Sequence, residues 1–122
     1  MLRQASRPLA LRNDRTGLLV ATVLELAADS ESRNRGLLGR DSLAPENALI
    51  LAPASLVHTF FMRFPIDVLF VSRDGRVLKA KHAVPARRVT GSVRAFAVIE
   101  FAAGRVDESQ TLVGDHLSIV PA

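Results

Sequence analysis

The chain of 122 residues contains no cysteine. That absence excludes a disulfide, a thiolate nucleophile, a zinc–thiolate centre and an iron–sulfur cluster. Long apolar runs are missing too, and none approaches the length needed to cross a bilayer, so no membrane span is expected. The N-terminal stretch MLRQASRPLALRNDRTG lacks the apolar core of about seven or more residues that a secretory signal requires. A cytoplasmic location is the expectation, with a periplasmic or exported one left open. Acidic residues are scarce in that stretch: Arg3, Arg7, Arg12 and Arg15 face only Asp14. These residues supply +3 of the net charge of +4, leaving the body nearly neutral.

What is present is globular composition, with 48% apolar and 23% charged residues. A chain of this length is one ordinary domain, which buries roughly two thirds of its surface. Residues 1–15 are expected to be a flexible basic tail, and residues 16–122 a single β domain.

Short apolar, β-branched runs recur along that body. TGLLVATVLELA (16–27) reads as a strand covered on both sides, because alternate positions are nearly equally apolar. A helix is expected over 29–39, with Asp29 or Ser30 as its cap, Glu31 in the first turn and Gly39 as its stop. Gly36 inside it predicts either close contact with another element or an earlier end. Further strands are expected at 48–52, 57–62, 66–72, 76–84, 94–102 and 116–120. Asp74-Gly75 predicts a hairpin pairing 66–72 with 76–84 through a type I′ turn. GRVDESQT (104–111) predicts a single helical turn. Seven strands and one or two short helices predict a mainly β fold, a compact antiparallel sandwich or barrel.

Four of the six phenylalanines fall in HTFFMRFPIDVLFVSRDGRV (58–77), together with a His, arginines and acids. That block, with RGLLGRDSL (35–43), AVIEFAAG (97–104) and VGDHL (113–117) in the same order, resembles the prokaryotic "domain of unknown function 192" family over about residues 24–120. Two points depart from the commoner pattern. Phe61 stands where the family often has Trp, with a shorter connection through Arg63-Phe64-Pro65, and Leu38 stands where Met is frequent. The resemblance implies a compact all-β fold and implies no reaction, because the family has no established one. Function has to be argued from sites.

The polar residues in the aromatic block are the candidates. His58 shares a strand face with Phe60 and Met62 by alternation, and reads as a ligand contact, a general base or a structural hydrogen-bond donor. Arg63 and Asp67 flank Phe64-Pro65-Ile66 and are expected to meet across the bend, as an anion clamp or as an ion pair. Asp67 needs a partner wherever it is buried on so apolar a strand. Arg40 is expected either to cap the preceding helix or to join Arg63 in an anion site. Glu100 reads as a cross-strand partner and Asp115 as a turn-forming side chain, both structural.

His58, His82 and His116 are separated by 24 and 34 residues and match no compact ligand motif, so no metal and no cofactor is expected. Residues 73–94 carry seven basic side chains against Asp74 alone, but no aromatic stacking platform or recognition helix accompanies them. A solvated outer face bearing Lys79 and Lys81 accounts for them, and no nucleic acid is expected. The leading functional expectation is a non-enzymatic domain holding a small anionic or polar ligand, or a peptide, at Arg40, His58, Arg63 and Asp67. An acid–base hydrolase or isomerase using His58 and Asp67 is the alternative, and nucleic-acid binding the second alternative. Nothing in the sequence assigns an oligomeric state.

Overall fold

The computed structural model describes residues 8–122. In chain order the elements are β1 (Leu9–Asn13), β2 (Leu19–Ala21), β3 (Val23–Ala27), α1 (Ser30–Arg35), β4 (Asn47–Leu51), β5 (Leu56–His58), β6 (Ile66–Val71), β7 (Val77–Val84), β8 (Val89–Gly91), β9 (Ala97–Ala102), α2 (Arg105–Glu108) and β10 (Leu117–Pro121). They form a five-stranded sheet β3-β4-β9-β6-β7, a three-stranded sheet β10-β1-β2 and a two-stranded sheet β5-β8. The fold is mainly β, as the alternating runs predict. It is not purely antiparallel, because β3 and β4 run parallel at one edge of the large sheet.

Every residue of β6 is buried, which is why its sequence reads as a continuous apolar run. It lies between β9 and β7, antiparallel to both. The expected hairpin closes, but its turn is not type I′. Gly75 alone takes a positive φ, and Ser72 N–H donates to the Arg76 carbonyl at 2.9 Å. A three-residue loop of this kind places its single left-handed residue at the glycine.

Two cores flank the large sheet. On one face Leu69, Ile99, Phe101 and Ile50 pack against Leu11, Val20 and Leu117 of the three-stranded sheet. On the other, Ile66, Val68, Phe70, Val98, Leu49 and Leu51 are covered by Leu37, Leu43 and Val57.

Several expectations need correction. Part of the segment read as a tail is β1, whose Ala10, Leu11 and Asn13 are buried between β10 and β2; residues 1–7 lie outside the described residues. The strand expected over 16–27 breaks at Thr22, whose N–H donates to the Glu46 carbonyl at 2.9 Å and turns the chain from one sheet to another. It is not covered on both sides, since Leu19, Val23 and Leu26 are exposed.

The helix keeps its Asp29 cap, with Ser32 N–H donating to Oδ1 at 2.7 Å, but ends at Gly36 rather than Gly39. Gly36 has φ 47°, and an added Cβ there would meet only ordinary contacts, so backbone conformation rather than crowding accounts for the glycine. The strand expected over 57–62 stops at His58, leaving Phe60 and Phe61 in a turn. Phe61, at φ 67°, is 85% exposed, so the phenylalanines are not uniformly core. Lys79 is not simply solvated, because its Nζ donates to the Gly91 carbonyl at 2.7 Å and ties β7 to β8.

Candidate functional site

The four residues expected to share a ligand patch are separated by the fold. Asp67 is fully buried, and its carboxylate accepts from the N–H groups of Ala83 at 2.8 Å, Gly104 at 3.0 Å and Val106 at 3.0 Å. Two of these donors belong to the free N-terminus of α2, so Asp67 caps that turn from another strand and also holds β7. Arg63 does not meet it. Its guanidinium donates to Asp41 at 2.6 Å, with both side chains largely exposed, a pairing that contributes little stability.

Arg40 neither caps α1 nor joins Arg63. It forks onto Glu25, with Nη1 at 2.9 Å and Nη2 at 2.8 Å from the two carboxylate oxygens. The paired Arg40 guanidinium holds Glu25 below its usual range. His58 ends β5 at the surface, its ring 5.8 Å from that of Phe60.

The acid–base pairing of His58 with Asp67 fails for a geometric reason. Asp67 stands opposite Phe101, in the core between the sheets. His58 lines a cleft on the other face of the large sheet. The two side chains therefore serve opposite sides.

That cleft, of about 190 Å³, lies between the end of α1 and β5. Arg33 to Leu38 form one wall, and Leu56, Val57 and His58 the other, with Leu51, Ala54 and Met62 between them. Glu100 also lines it. It was expected to find a cross-strand partner, but its neighbours across the sheet are Leu49 and Val68, both buried and apolar. Its side chain makes no hydrogen bond or ion pair among the described residues. Yet neither carboxyl oxygen is sealed from solvent, because no enclosed polar side-chain atom lacks a partner. The Glu100 carboxyl therefore reaches the cleft, with Oε1 3.9 Å from where a Cβ on Gly36 would stand.

Burial pushes the Glu100 carboxyl up to about 7, against the weaker attraction of Arg40. Near neutral pH it is divided between a donor and an acceptor form. The cleft thus combines aliphatic side chains with the polar ones of Arg33, Asn34, Arg35, His58 and Glu100, of which Glu100 alone is buried. The sequence signal for it is Glu100 as the lone charge in the apolar run AVIEFA.

A second concavity of about 370 Å³ opens between the two larger sheets and is lined mainly by apolar side chains, among them Leu26, Phe96 and Ile119. Asp115 follows the turn at Val113-Gly114. It accepts from Arg15 Nε at 2.7 Å, Asn13 Nδ2 at 2.9 Å and the Leu112 N–H at 2.9 Å, which closes its turn. Chiefly the Arg15 hydrogen bond holds it well below the usual carboxylate range. His82 and His116 lie at separate places, 3.6 Å from Asp107 and Asp74 respectively. No cluster of three metal-ligating side chains occurs among the described residues. No helix there is long and apolar enough to cross a membrane.

Among the solved structures that resemble this fold are two crystal structures. One is of a protein from Sinorhizobium meliloti 1021, provisionally described as a transcription regulator, with TM-score 0.81 and 23% identity over 92% of each chain. The other is of a protein of unknown function from Novosphingobium aromaticivorans DSM 12444, with TM-score 0.78 and 22% identity over 91% of this chain and 83% of that one. At such identities the likeness shows the fold alone. Among curated proteins none matches the chain. The family model DUF192, "Uncharacterized ACR", matches residues 11–119, and this chain belongs to that family.

Proposed function

We propose that the chain is a binding domain whose guest enters the cleft between α1 and β5 and meets Glu100. The supporting observation is the Glu100 carboxyl itself, buried, without a partner and open to the cleft. An unpaired buried carboxyl costs stability wherever it serves only the fold. A guest that donates a hydrogen bond or carries a cation would satisfy it. The aliphatic walls of Leu37, Leu51, Val57 and Met62 suit an apolar body attached to that group.

Of the earlier candidates His58 stays at the site, and Arg40 acts on it through its field at Glu100. Fragment screening by amide NMR tests the reading. Binders should move the amide signals of residues 35–38, 54–58 and 100, and Ala54→Leu, which narrows the cleft, should weaken them. Binders that cluster only between the two sheets, around Phe96, would overturn it.

One observation also favours an acid–base enzyme, with Glu100 in place of Asp67. A carboxyl titrating near neutrality in a cleft is suited to both donating and accepting a proton. Turnover of an ester or glycoside panel that vanishes in Glu100→Gln while the fold persists would carry this reading. Turnover unchanged by that substitution removes it.

A further inference from the structure

We infer that the guest of this cleft is an extended, acidic peptide segment of a partner protein that adds a strand to the open edge of β5; the inference rests on the cleft reading above. Among the described residues β5 pairs with β8 and with no other strand. Thr59 N–H donates to the Arg88 carbonyl at 2.8 Å, and Ser92 N–H to the Ser55 carbonyl at 2.9 Å. In an antiparallel ladder bonded positions alternate, so residues 55, 57 and 59 face β8. The N–H and C=O groups of Leu56 and His58 face the other way. They have no partner among the described residues, a row of four groups spaced to accept a strand.

The cleft lies along that edge, because Leu56, Val57 and His58 line it while no residue of β8 does. A guest strand about 4.8 Å from β5 would point alternate side chains the same way as Val57, which is buried toward the sheet. One such side chain would pass between Leu51 and Met62 toward Glu100. Backbone pairing would supply affinity, and the cleft selectivity.

Charge identifies the class of peptide. Arg33 and Arg35 border the cleft on the α1 side, and Arg87 and Arg88 follow the His58 end through the Thr59 contact. Arg33 and Arg88 donate only to backbone carbonyls, Arg87 forms no ion pair, and Arg35 has a loose contact with Glu31 at 3.7 Å, all among the described residues. Four cations against two exposed acids, Glu31 and Asp29, favour Asp or Glu on the flanks of the guest.

The test pans a displayed library of random twelve-residue peptides against the whole chain and measures a selected synthetic peptide. Recovered sequences should be enriched in Asp and Glu, and the Leu56 and His58 amides should become protected from hydrogen exchange in the complex. Leu56→Pro removes an outward N–H at the first position of its strand, where proline is tolerated. It should weaken the peptide about tenfold, the loss of about one hydrogen bond. Leu56→Ala, which keeps the N–H, should weaken it less than about threefold. Arg33→Glu with Arg35→Glu should weaken it further and flatten its salt dependence.

No recovered peptide tighter than about 1 mM, free exchange at Leu56 and His58 in the complex, or equal binding by Leu56→Pro overturns the inference. Fragments that still move the Glu100 signals in that event leave the cleft reading standing. A peptide that protects Leu56 while leaving the Glu100 signal in place removes the cleft reading instead.

Discussion

Asp67 and Glu100 occupy adjacent register positions on β6 and β9 and point to opposite faces of one sheet. Asp67 pairs across with Phe101, and Glu100 with Val68. Both are buried carboxyls in strands otherwise apolar. Asp67 receives three backbone N–H groups, while Glu100 receives none and reaches the cleft. One anchors the fold and the other has no hydrogen-bond partner among the described residues.

Asp67→Ala should therefore cost about 3–5 kcal/mol, because it strands three buried backbone donors that its carboxyl oxygens now accept from. Asp67→Asn should lose less, keeping one acceptor oxygen. Urea denaturation followed by circular dichroism measures both. A loss below about 1 kcal/mol in the alanine variant would show that water replaces the carboxylate.

Glu100 should make the protein less stable as pH rises. Its carboxyl ordinarily titrates near 4.5 and in the folded chain near 7, so between those values the unfolded chain releases a proton that the folded chain keeps. Stability from this group is complete below about 4.5 and gone above about 7, a change on the order of 3 kcal/mol. Glu100→Gln should remove that slope and be the more stable form at pH 8. Arg40→Met should raise the Glu100 midpoint, since Arg40 draws it down, and carboxyl carbon NMR reads the shift directly. Parallel pH profiles for wild type and Glu100→Gln would contradict the assignment.

Gly75→Ala should be among the more damaging single changes, on the order of 2–4 kcal/mol. Its φ of 91° disfavours any side chain, and a Cβ would collide with the carbonyl of Leu117 on β10. Thermal denaturation measures it. A change in Tm of a degree or less would mean that β10 can move aside.

Asp115→Asn should cost about 1–2 kcal/mol at pH 7, with Arg15 half-exposed and its share correspondingly small. Because Asp115 is held below its ordinary value near 3.8, its contribution is present above that pH and fades as pH falls. Wild type and Asp115→Asn should therefore converge in strong acid. A gap that persists at low pH would assign the loss to packing.

Strands whose burial is decided locally could be read from sequence. β4, β6, β7 and β10 fall within a residue or so of their expected spans, because apolar alternation or an apolar run marks each. β8 has three residues and β1 lies among arginines, so each owes its pairing to a partner distant in sequence. The break at Thr22 is set by Glu46, which no local pattern near residue 22 announces. At the candidate cleft, the aromatic neighbours of His58 single it out in the sequence, whereas Arg63 and Arg40 turn to Asp41 and Glu25. Glu100 reads as a cross-strand partner in the sequence because the apolar residues that stand opposite it, Leu49 and Val68, are fixed only by register.

The turn at Thr22 carries the chain from the three-stranded sheet directly into the five-stranded one, and Leu11, Val20 and Leu117 of the smaller sheet share a core with Leu69, Ile99 and Phe101 of the larger. Opening either sheet therefore exposes the inner face of the other. The slowest-exchanging amides of β1, β6 and β9 should therefore report the same opening free energy, the global one, when hydrogen exchange is measured.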